Sequence, residues 1–269
     1  MQQQSDYQLN GLVALVTGAG RGLGASIAEH LAANGAAVAI SDRDGDAVQQ
    51  QAERLTSLGY NVHSYQHDVC NESQWQDVIG AVVANMGGYD ILVNNAGIED
   101  ICLLENTSLE TFKRIQDVNV NGSFLGLKHS IAAMKPGGAA GKGGSIINLS
   151  SVAGMSGFTG ISSYCAAKGG VRLLTKAAAR ECGELGYGIR VNSVHPGFVH
   201  TEMGNNLLEG YVRLGLAESI EQSTELFKSM HPLGFGQPKD IGNLVSFLAS
   251  PASAWITGSE HVIDGGWKS

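Results

Sequence analysis

A rhythm constrains this chain more than any other feature. Short runs that are apolar at nearly every position alternate with longer segments whose apolar residues recur at helical spacing. A strand with one wet face alternates apolar and polar residues. A strand apolar throughout is covered on both faces, which is the condition of a parallel sheet between two layers of helices. The runs at Gly11–Thr17 (GLVALVT) and Ala36–Ser41 (AAVAIS) are of this kind. Between them, Ile27, Ala28, Leu31 and Ala32 lie on one helical face, and Gly35 closes the segment.

The same reading continues along the chain. NVHSYQHDV, YDILVNNAG, GGSIINLSS, YGIRVNSVHPG and SEHVIDGG read as five further strands. DAVQQQAERLTSLG, SQWQDVIGAVVANMG, the long SSYCAAKGGVRLLTKAAARECGELG and PKDIGNLVSFLAS read as helices, the last with proline in its first turn. Two helices are expected between Ser108 and about Lys135. Two segments break the rhythm: a glycine-rich loop, Lys135–Gly144, and a helical insertion, Thr201–Gly234. Neither repeat nor linker is evident. The expectation is one α/β domain over residues 1–269, a doubly wound (Rossmann) parallel seven-stranded sheet with helices on both faces.

The turn after the first strand reads TGAGRGLG, Thr17–Gly24. Glycine permits positive φ and lets backbone approach a ligand where a Cβ would collide. A helix beginning near Gly22 offers unpaired N–H groups to a pyrophosphate. The second strand ends at Asp42, 18 residues beyond Gly24. A carboxylate there can accept hydrogen bonds from the 2′- and 3′-hydroxyls of an adenosine ribose. Alone, such a turn can serve only to reverse the chain; the second strand and Asp42 give it a purpose.

Tyr164 and Lys168 are four residues apart on a helix and share a face. A tyrosine near its usual pKa of ~10 is a poor proton-transfer group at neutral pH. An adjacent ammonium and the positive ring of an oxidised nicotinamide both favour the phenolate, which makes Tyr164 a candidate general base for an alcohol. A Tyr-x-x-x-Lys pair can equally be an idle surface pair. Ser151 changes the balance, because it ends the strand GGSIINLSS and ligands sit at strand ends in such sheets.

Composition excludes other classes. Acidic residues outnumber basic ones 25 to 17, and no basic block appears, so neither nucleic acid nor an anionic membrane is an expected partner. Cys70, Cys102, Cys165 and Cys182 have no metal or redox spacing and read as reduced thiols of a cytoplasmic protein. The polar N-terminus MQQQSDYQLNG lacks a signal pattern, and no apolar run approaches a membrane span. No metal site is expected: His195 and His200 flank a proline-glycine pair without further ligands. Charged residues are only 16% of the chain, in keeping with surface buried between subunits.

The spacing TGxxxGxG on Gly18, Gly22 and Gly24, with NNAG at Asn94–Gly97 and YCAAK at Tyr164–Lys168, resembles the short-chain dehydrogenase/reductase family over essentially the whole chain. The resemblance implies a cofactor turn at Gly18, Gly22 and Gly24 lined by the backbone of Arg21 and Leu23. It implies Asp68 and Val69 at the adenine, Asn95 along the cofactor, and Val199 and Thr201 at the nicotinamide carboxamide. It implies a tetrad: Ser151 binding the substrate oxygen, Tyr164 as base, Lys168 on the nicotinamide ribose, and Asn119 supporting a water that relays protons to the lysine. Ser150 and Asn121 are the structural neighbours, Cys165 is packing, and Asp264–Gly266 is a structural or interface turn. Homotetramers built partly on the helices carrying Lys128 and Tyr164 are implied as well.

Asp42 would repel a 2′-phosphate, which favours NAD over NADP; Arg21 and Arg43 are the residues that could oppose this. The insertion, with Met203, Leu207, Leu208, Tyr211, Val212, Leu214, Leu216, Leu226, Phe227 and Met230, and the neighbouring Met155 and Phe158, would cover an apolar pocket. The substrate expected is a small hydrophobic secondary alcohol, of the kind that bacterial hydroxysteroid and cyclic-alcohol dehydrogenases oxidise. Two other functions fit the same frame. An NADPH-dependent 3-oxoacyl-thioester reductase would need a basic pocket mouth, which Asp42 and the acidic balance disfavour. A non-catalytic NAD-binding sensor or scaffold could lose any tetrad member, yet all four are present.

Overall fold

The computed structural model describes residues 6–269. The N-terminal stretch read as lacking a signal pattern begins at residues 1–5, outside the described residues. Seven strands form where expected: β1 (Val13–Thr17), β2 (Ala37–Asp42), β3 (Val62–Gln66), β4 (Ile91–Asn94), β5 (Gly144–Leu149), β6 (Ile189–Pro196) and β7 (Glu260–Ile263). All pair in parallel, in the order β3-β2-β1-β4-β5-β6-β7. The helices are α1 (Gly22–Ala33), α2 (Gly45–Ser57), α3 (Glu72–Met86), α4 (Leu109–Gln116), α5 (Gly122–Met134) and α6 (Ser162–Glu184). After β6 come α7 (Glu202–Arg213), α8 (Ile220–Ser229) and α9 (Pro238–Ala249).

The two-residue period of a strand sorts the core into two layers. Ala14 and Val16 face one layer, where Ile27 and Leu31 of α1, Val48 and Leu55 of α2, and Val245 and Leu248 of α9 meet them. Val13 and Leu15 face the other, against Trp75 and Val82 of α3, Met134 of α5 and Cys182 of α6. Trp75 is fully buried, and its indole Nε1 donates to the Val69 carbonyl at 3.0 Å. One core side chain therefore fixes the loop that leaves β3.

The order in which strands are laid down reverses between β1 and β4, and this opens a crevice beyond the carboxyl ends of the strands. Thr17, Asp42, Asn94 and Pro196 end their strands on that edge, and Ser151 follows β5 closely. The two helices expected from Ser108 to about Lys135 are present, with one added feature. α4 and α5 join without a break through a π-type turn, Asp117–Asn121. The insertion is helical as expected, with Thr201 capping α7: its Oγ1 accepts from Gly204 N at 3.1 Å. Among the described residues no helix is long and apolar enough to cross a membrane.

Candidate active site

A cavity of about 560 Å³ runs along the carboxyl edge of the sheet, from Asp42 and Asp68 to Phe158 and Trp267. Every sequence-predicted site residue borders it except Gly24 and Asn119. Gly24 lies beneath the glycine turn. A Cβ there would collide with the Gly18 carbonyl oxygen and lie 2.5 Å from Asn95 Nδ2. Gly18 has φ +62°, and a Cβ on it would sit 2.7 Å from Ala96 Cα. The turn is a tight backbone cradle against the segment that follows β4.

Asn95 holds that cradle shut. Its Nδ2 donates to the carbonyls of Thr17 and Gly18, both at 2.9 Å. The Asn95 amide is thus occupied by the turn itself, and its part is bracing. Above the cradle, α1 begins with Arg21 at its N-cap, where no side chain caps the first N–H groups. An uncapped helix start over a turn that packs closely beneath Gly18 and Gly24 suits a pyrophosphate. The Asp42 carboxylate accepts from Gly20 N at 3.0 Å with Oδ2 and from Asp44 N at 3.1 Å with Oδ1. These bonds fix its orientation at the cavity edge and leave lone pairs for ribose hydroxyls. The residues present therefore fit a dinucleotide.

Arg21 does not turn toward Asp42. Its Nε pairs with Glu202 Oε2 at 3.4 Å, joining the glycine turn to the start of α7. Both side chains are well exposed, so this pair contributes little to stability. Asp68 Oδ1 accepts from Cys70 N at 3.0 Å, and its own N–H donates to Gln74 Oε1 at 2.7 Å.

At the other end of the cavity, α6 carries Tyr164 and Lys168 on one face, and Ser151 begins the short turn after β5. The Ser151 side chain accepts from Ala153 N at 3.1 Å and lies close enough to the Tyr164 phenol to favour its ionised form. Lys168 Nζ donates to the Leu149 carbonyl at 2.7 Å and lies 5.4 Å from the centre of the Tyr164 ring. Burial lowers the Lys168 ammonium to about 8. Burial also pushes the Tyr164 phenol well above its usual value, and the charge of nearby Glu99 pushes it further, while Ser151 pulls the other way.

Within the polypeptide, desolvation dominates the phenol and holds it above its usual value, while Lys168 at about 8 remains largely a cation at neutral pH.

Asn119 sits in the π-type turn and is fully buried. Its Nδ2 donates to the carbonyls of Ile98 at 2.8 Å and Ile115 at 2.9 Å, and its Oδ1 accepts from Ile98 N at 3.2 Å. It stands behind Gly97: a Cβ on that glycine would lie 2.5 Å from Asn119 Oδ1 and 3.4 Å from Lys168 Nζ. Asn121 bonds Asp117 on the exposed side, and Ser150 Oγ donates to the Lys168 carbonyl. Both side chains are thus engaged within the fold. His195 is committed within the fold: its Nδ1 donates to the Ser151 carbonyl at 3.0 Å and its Nε2 accepts from Ser193 Oγ at 2.8 Å. Burial lowers its pKa, in keeping with a neutral ring in those two bonds.

The insertion lies over this end. Met203, Leu207, Tyr211 and Phe227 border the cavity, as does Phe158, whereas Leu216 and Leu226 are partly exposed and Met155 does not reach it. Three participants were not anticipated. Trp267 packs 4.7 Å from the Phe158 ring and 4.6 Å from His231. His231 accepts from Phe198 N at 3.0 Å through Nε2 and donates from Nδ1 to the Phe227 carbonyl at 2.7 Å, tying α8 to the segment after β6. Glu99 borders the cavity with a buried oxygen that has no protein partner. Its place in the loop that follows β4 is the sequence signal that marks it.

The fold, the glycine cradle and the grouping of Ser151, Tyr164 and Lys168 suit an oxidoreductase that acts on the CH–OH group of alcohols with a nicotinamide cofactor. Residues 18–268 match a family model described as enoyl-(acyl carrier protein) reductase. The chain is 40% identical to trans-4-hydroxycyclohexanecarboxylate dehydrogenase of Sinomonas cyclohexanicum, over 94% of this chain and 92% of the relative. It is also 40% identical to 3-alpha-(or 20-beta)-hydroxysteroid dehydrogenase of Mycobacterium tuberculosis, over 96% of this chain and 90% of the relative. The crystal structure of a short-chain type dehydrogenase/reductase from Mycobacterium marinum superimposes with a TM-score of 0.87 at 37% identity, covering 97% of each chain. The chain belongs to the short-chain dehydrogenase/reductase family.

Proposed function

We propose that the chain is an NAD-dependent dehydrogenase of hydrophobic cyclic secondary alcohols, hydroxysteroids among them. The observation that carries this reading is the convergence of Ser151, Tyr164 and Lys168 on one wall of a cavity closed over by Met203, Leu207, Tyr211 and Phe227. The named substrates of the two relatives, a ring alcohol and hydroxysteroids, support the class.

The Ser151 hydroxyl and the Tyr164 phenol hold the alcohol oxygen between them. Tyr164 removes the hydroxyl proton. Lys168 holds the nicotinamide ribose hydroxyls and, with its pKa near 8, passes the proton onward at neutral pH. Asn119, behind Gly97, supports the water at the outer end of that path. Gly18, Gly22, Gly24 and the backbone of Arg21 and Leu23 hold the pyrophosphate; Asp68 and Val69 hold the adenine, and Val199 and Thr201 the carboxamide. When bound, the oxidised nicotinamide supplies the hydride acceptor and a positive charge that favours the Tyr164 phenolate.

Asp42 selects NAD. Its carboxylate, fixed by two backbone N–H groups, would meet a 2′-phosphate as like charge. Asp42→Ala is expected to lower kcat/KM with NAD by about 10- to 100-fold, the worth of one or two hydrogen bonds to a charged acceptor, and to raise it with NADP. An unchanged NAD/NADP ratio would remove Asp42 from that role.

We also assign a cytoplasmic homotetramer. Leu109 and Phe124 around the α4–α5 turn and Leu173 on α6 are exposed apolar side chains, and the four cysteines are free. Sedimentation equilibrium should give four times the chain mass; a monomer at micromolar concentration contradicts the assignment.

The test of the whole reading is spectrophotometric. NAD and NADP are offered separately with hydroxysteroids, cycloalkanols and sugar alcohols, and 3-oxoacyl thioesters with NADPH in reverse. Reduced nicotinamide should appear with NAD and a cyclic alcohol. A rate confined to NADPH and oxoacyl thioesters would overturn the reading.

A further inference from the structure

Glu99 borders the cavity, and the proposed chemistry leaves it unused. Its backbone is pinned on both sides. Asn119 brackets Ile98 through both of its amide atoms, and Cys102 N donates to the Gly160 carbonyl at 2.8 Å. The carboxyl cannot easily withdraw to solvent with its loop so held. Oε1 is buried and finds no partner in the protein. The side chain borders the cavity and lies near enough to Tyr164 for its charge to act on the phenol. Much of the surrounding lining is apolar, with Phe158, Leu207 and Phe227, and the Tyr211 hydroxyl is committed to the Thr159 carbonyl at 3.0 Å; the polar lining residues Arg114 and Asn206 leave Oε1 without a hydrogen bond.

An orphaned carboxyl oxygen facing a binding cavity is expensive unless the ligand meets it. The carbinol oxygen of a simple alcohol cannot, because Ser151 and Tyr164 take it. We propose that Glu99 is a specificity-determining residue that hydrogen bonds a second hydroxyl group on the substrate, so that the preferred ring alcohols are diols. This deepens the dehydrogenase reading above and rests on it.

The state of Glu99 matches a neutral partner. Burial, and then the charge of Asp100, hold its pKa up to about 8, so at neutral pH it is a carboxylic acid that can both donate and accept. A cationic substrate group would instead draw out the carboxylate, whose charge opposes the Tyr164 phenolate the reaction needs.

The experiment measures kcat/KM with NAD for cyclohexanol, for the 1,2-, 1,3- and 1,4-cyclohexanediols and for 4-aminocyclohexanol, in the wild type, Glu99→Gln and Glu99→Leu. The best diol should exceed cyclohexanol by roughly 10-fold or more in the wild type. Glu99→Gln should keep that preference, and Glu99→Leu should abolish or invert it. The ratio between substrates cancels any general effect of Glu99 on Tyr164. A ratio identical in wild type and Glu99→Leu overturns the proposal while leaving the dehydrogenase reading intact. So does an amino alcohol preferred over every diol. If Glu99→Leu does not fold, a wild-type ratio of one or below is decisive against it. Failure of the wild type to oxidise any of these alcohols, or any other, is a different result: it overturns the underlying reading, and the proposal with it.

Discussion

Tyr164→Phe should lower kcat for alcohol oxidation on the order of 10³-fold while leaving NAD affinity unchanged. The substitution deletes one oxygen and keeps the ring, which packs beside Lys168 with Nζ 5.4 Å from its centre. In the proposed reaction, neither neighbouring group at the Ser151 end of the cavity replaces Tyr164 as base. Ser151 is a far weaker one, and Glu99 carries its own proton up to about pH 8. Proton transfer by a positioned side chain contributes ~10²–10⁴-fold, and the lower part of that range corresponds to about 3–4 kcal/mol of barrier. Cofactor titration by fluorescence checks the second half of the statement. Loss of NAD binding together with turnover would mean that Tyr164 is structural. Retained turnover would move the base elsewhere.

Gly24→Ala is the largest structural effect expected. The added methyl would enter space already filled by the Gly18 carbonyl oxygen, Asn95 Nδ2 at 2.5 Å and Ala19 Cα at 2.9 Å. Two of those three atoms are backbone and cannot rotate aside. Overpacking of this kind costs about 3 kcal/mol or more, which lowers Tm by roughly 6 °C or more in a chain of this size. Because the colliding atoms form the cradle, NAD affinity should fall with it. Gly22→Ala is the control. Nothing lies within 4 Å of its added Cβ, and only its φ of +59° opposes the change, at a cost of about 1–2 kcal/mol. Equal Tm values for the two variants would show that close approach under the turn is not what requires glycine at position 24.

The layer architecture was legible because it depends on periodicity. Ile27, Ala28, Leu31 and Ala32 are buried as their spacing requires, and the strands apolar throughout lie inside the sheet. β3, with its mixed composition, takes the edge. The glycine turn was legible for a related reason: close backbone approach demands glycine, and β2 ends at Asp42 as read. What escaped sequence reading depends on contacts between distant parts of the chain. Trp267 lies among polar residues near the C-terminus, and nothing local shows that it returns to Phe158 and His231. The charge state of Glu99 comes from burial by residues far away in sequence. The Tyr164–Lys168 pair was found by spacing, but the direction of the phenol pKa was not, since spacing carries no information about desolvation.

The π-type turn at Asp117–Asn121 has a consequence for register. Successive residues of an α-helix are rotated by about 100°, so one widened turn shifts everything beyond it around the axis by that amount relative to what precedes. α4 and α5 form one rod in outline yet present faces set by two different phases. The rod can therefore aim the Asn119 amide at the Ile98 loop and still lay Leu125 and Met134 against the sheet. Closing the turn by deleting a single residue would leave the rod straight and helical, but it would force a choice between those two faces.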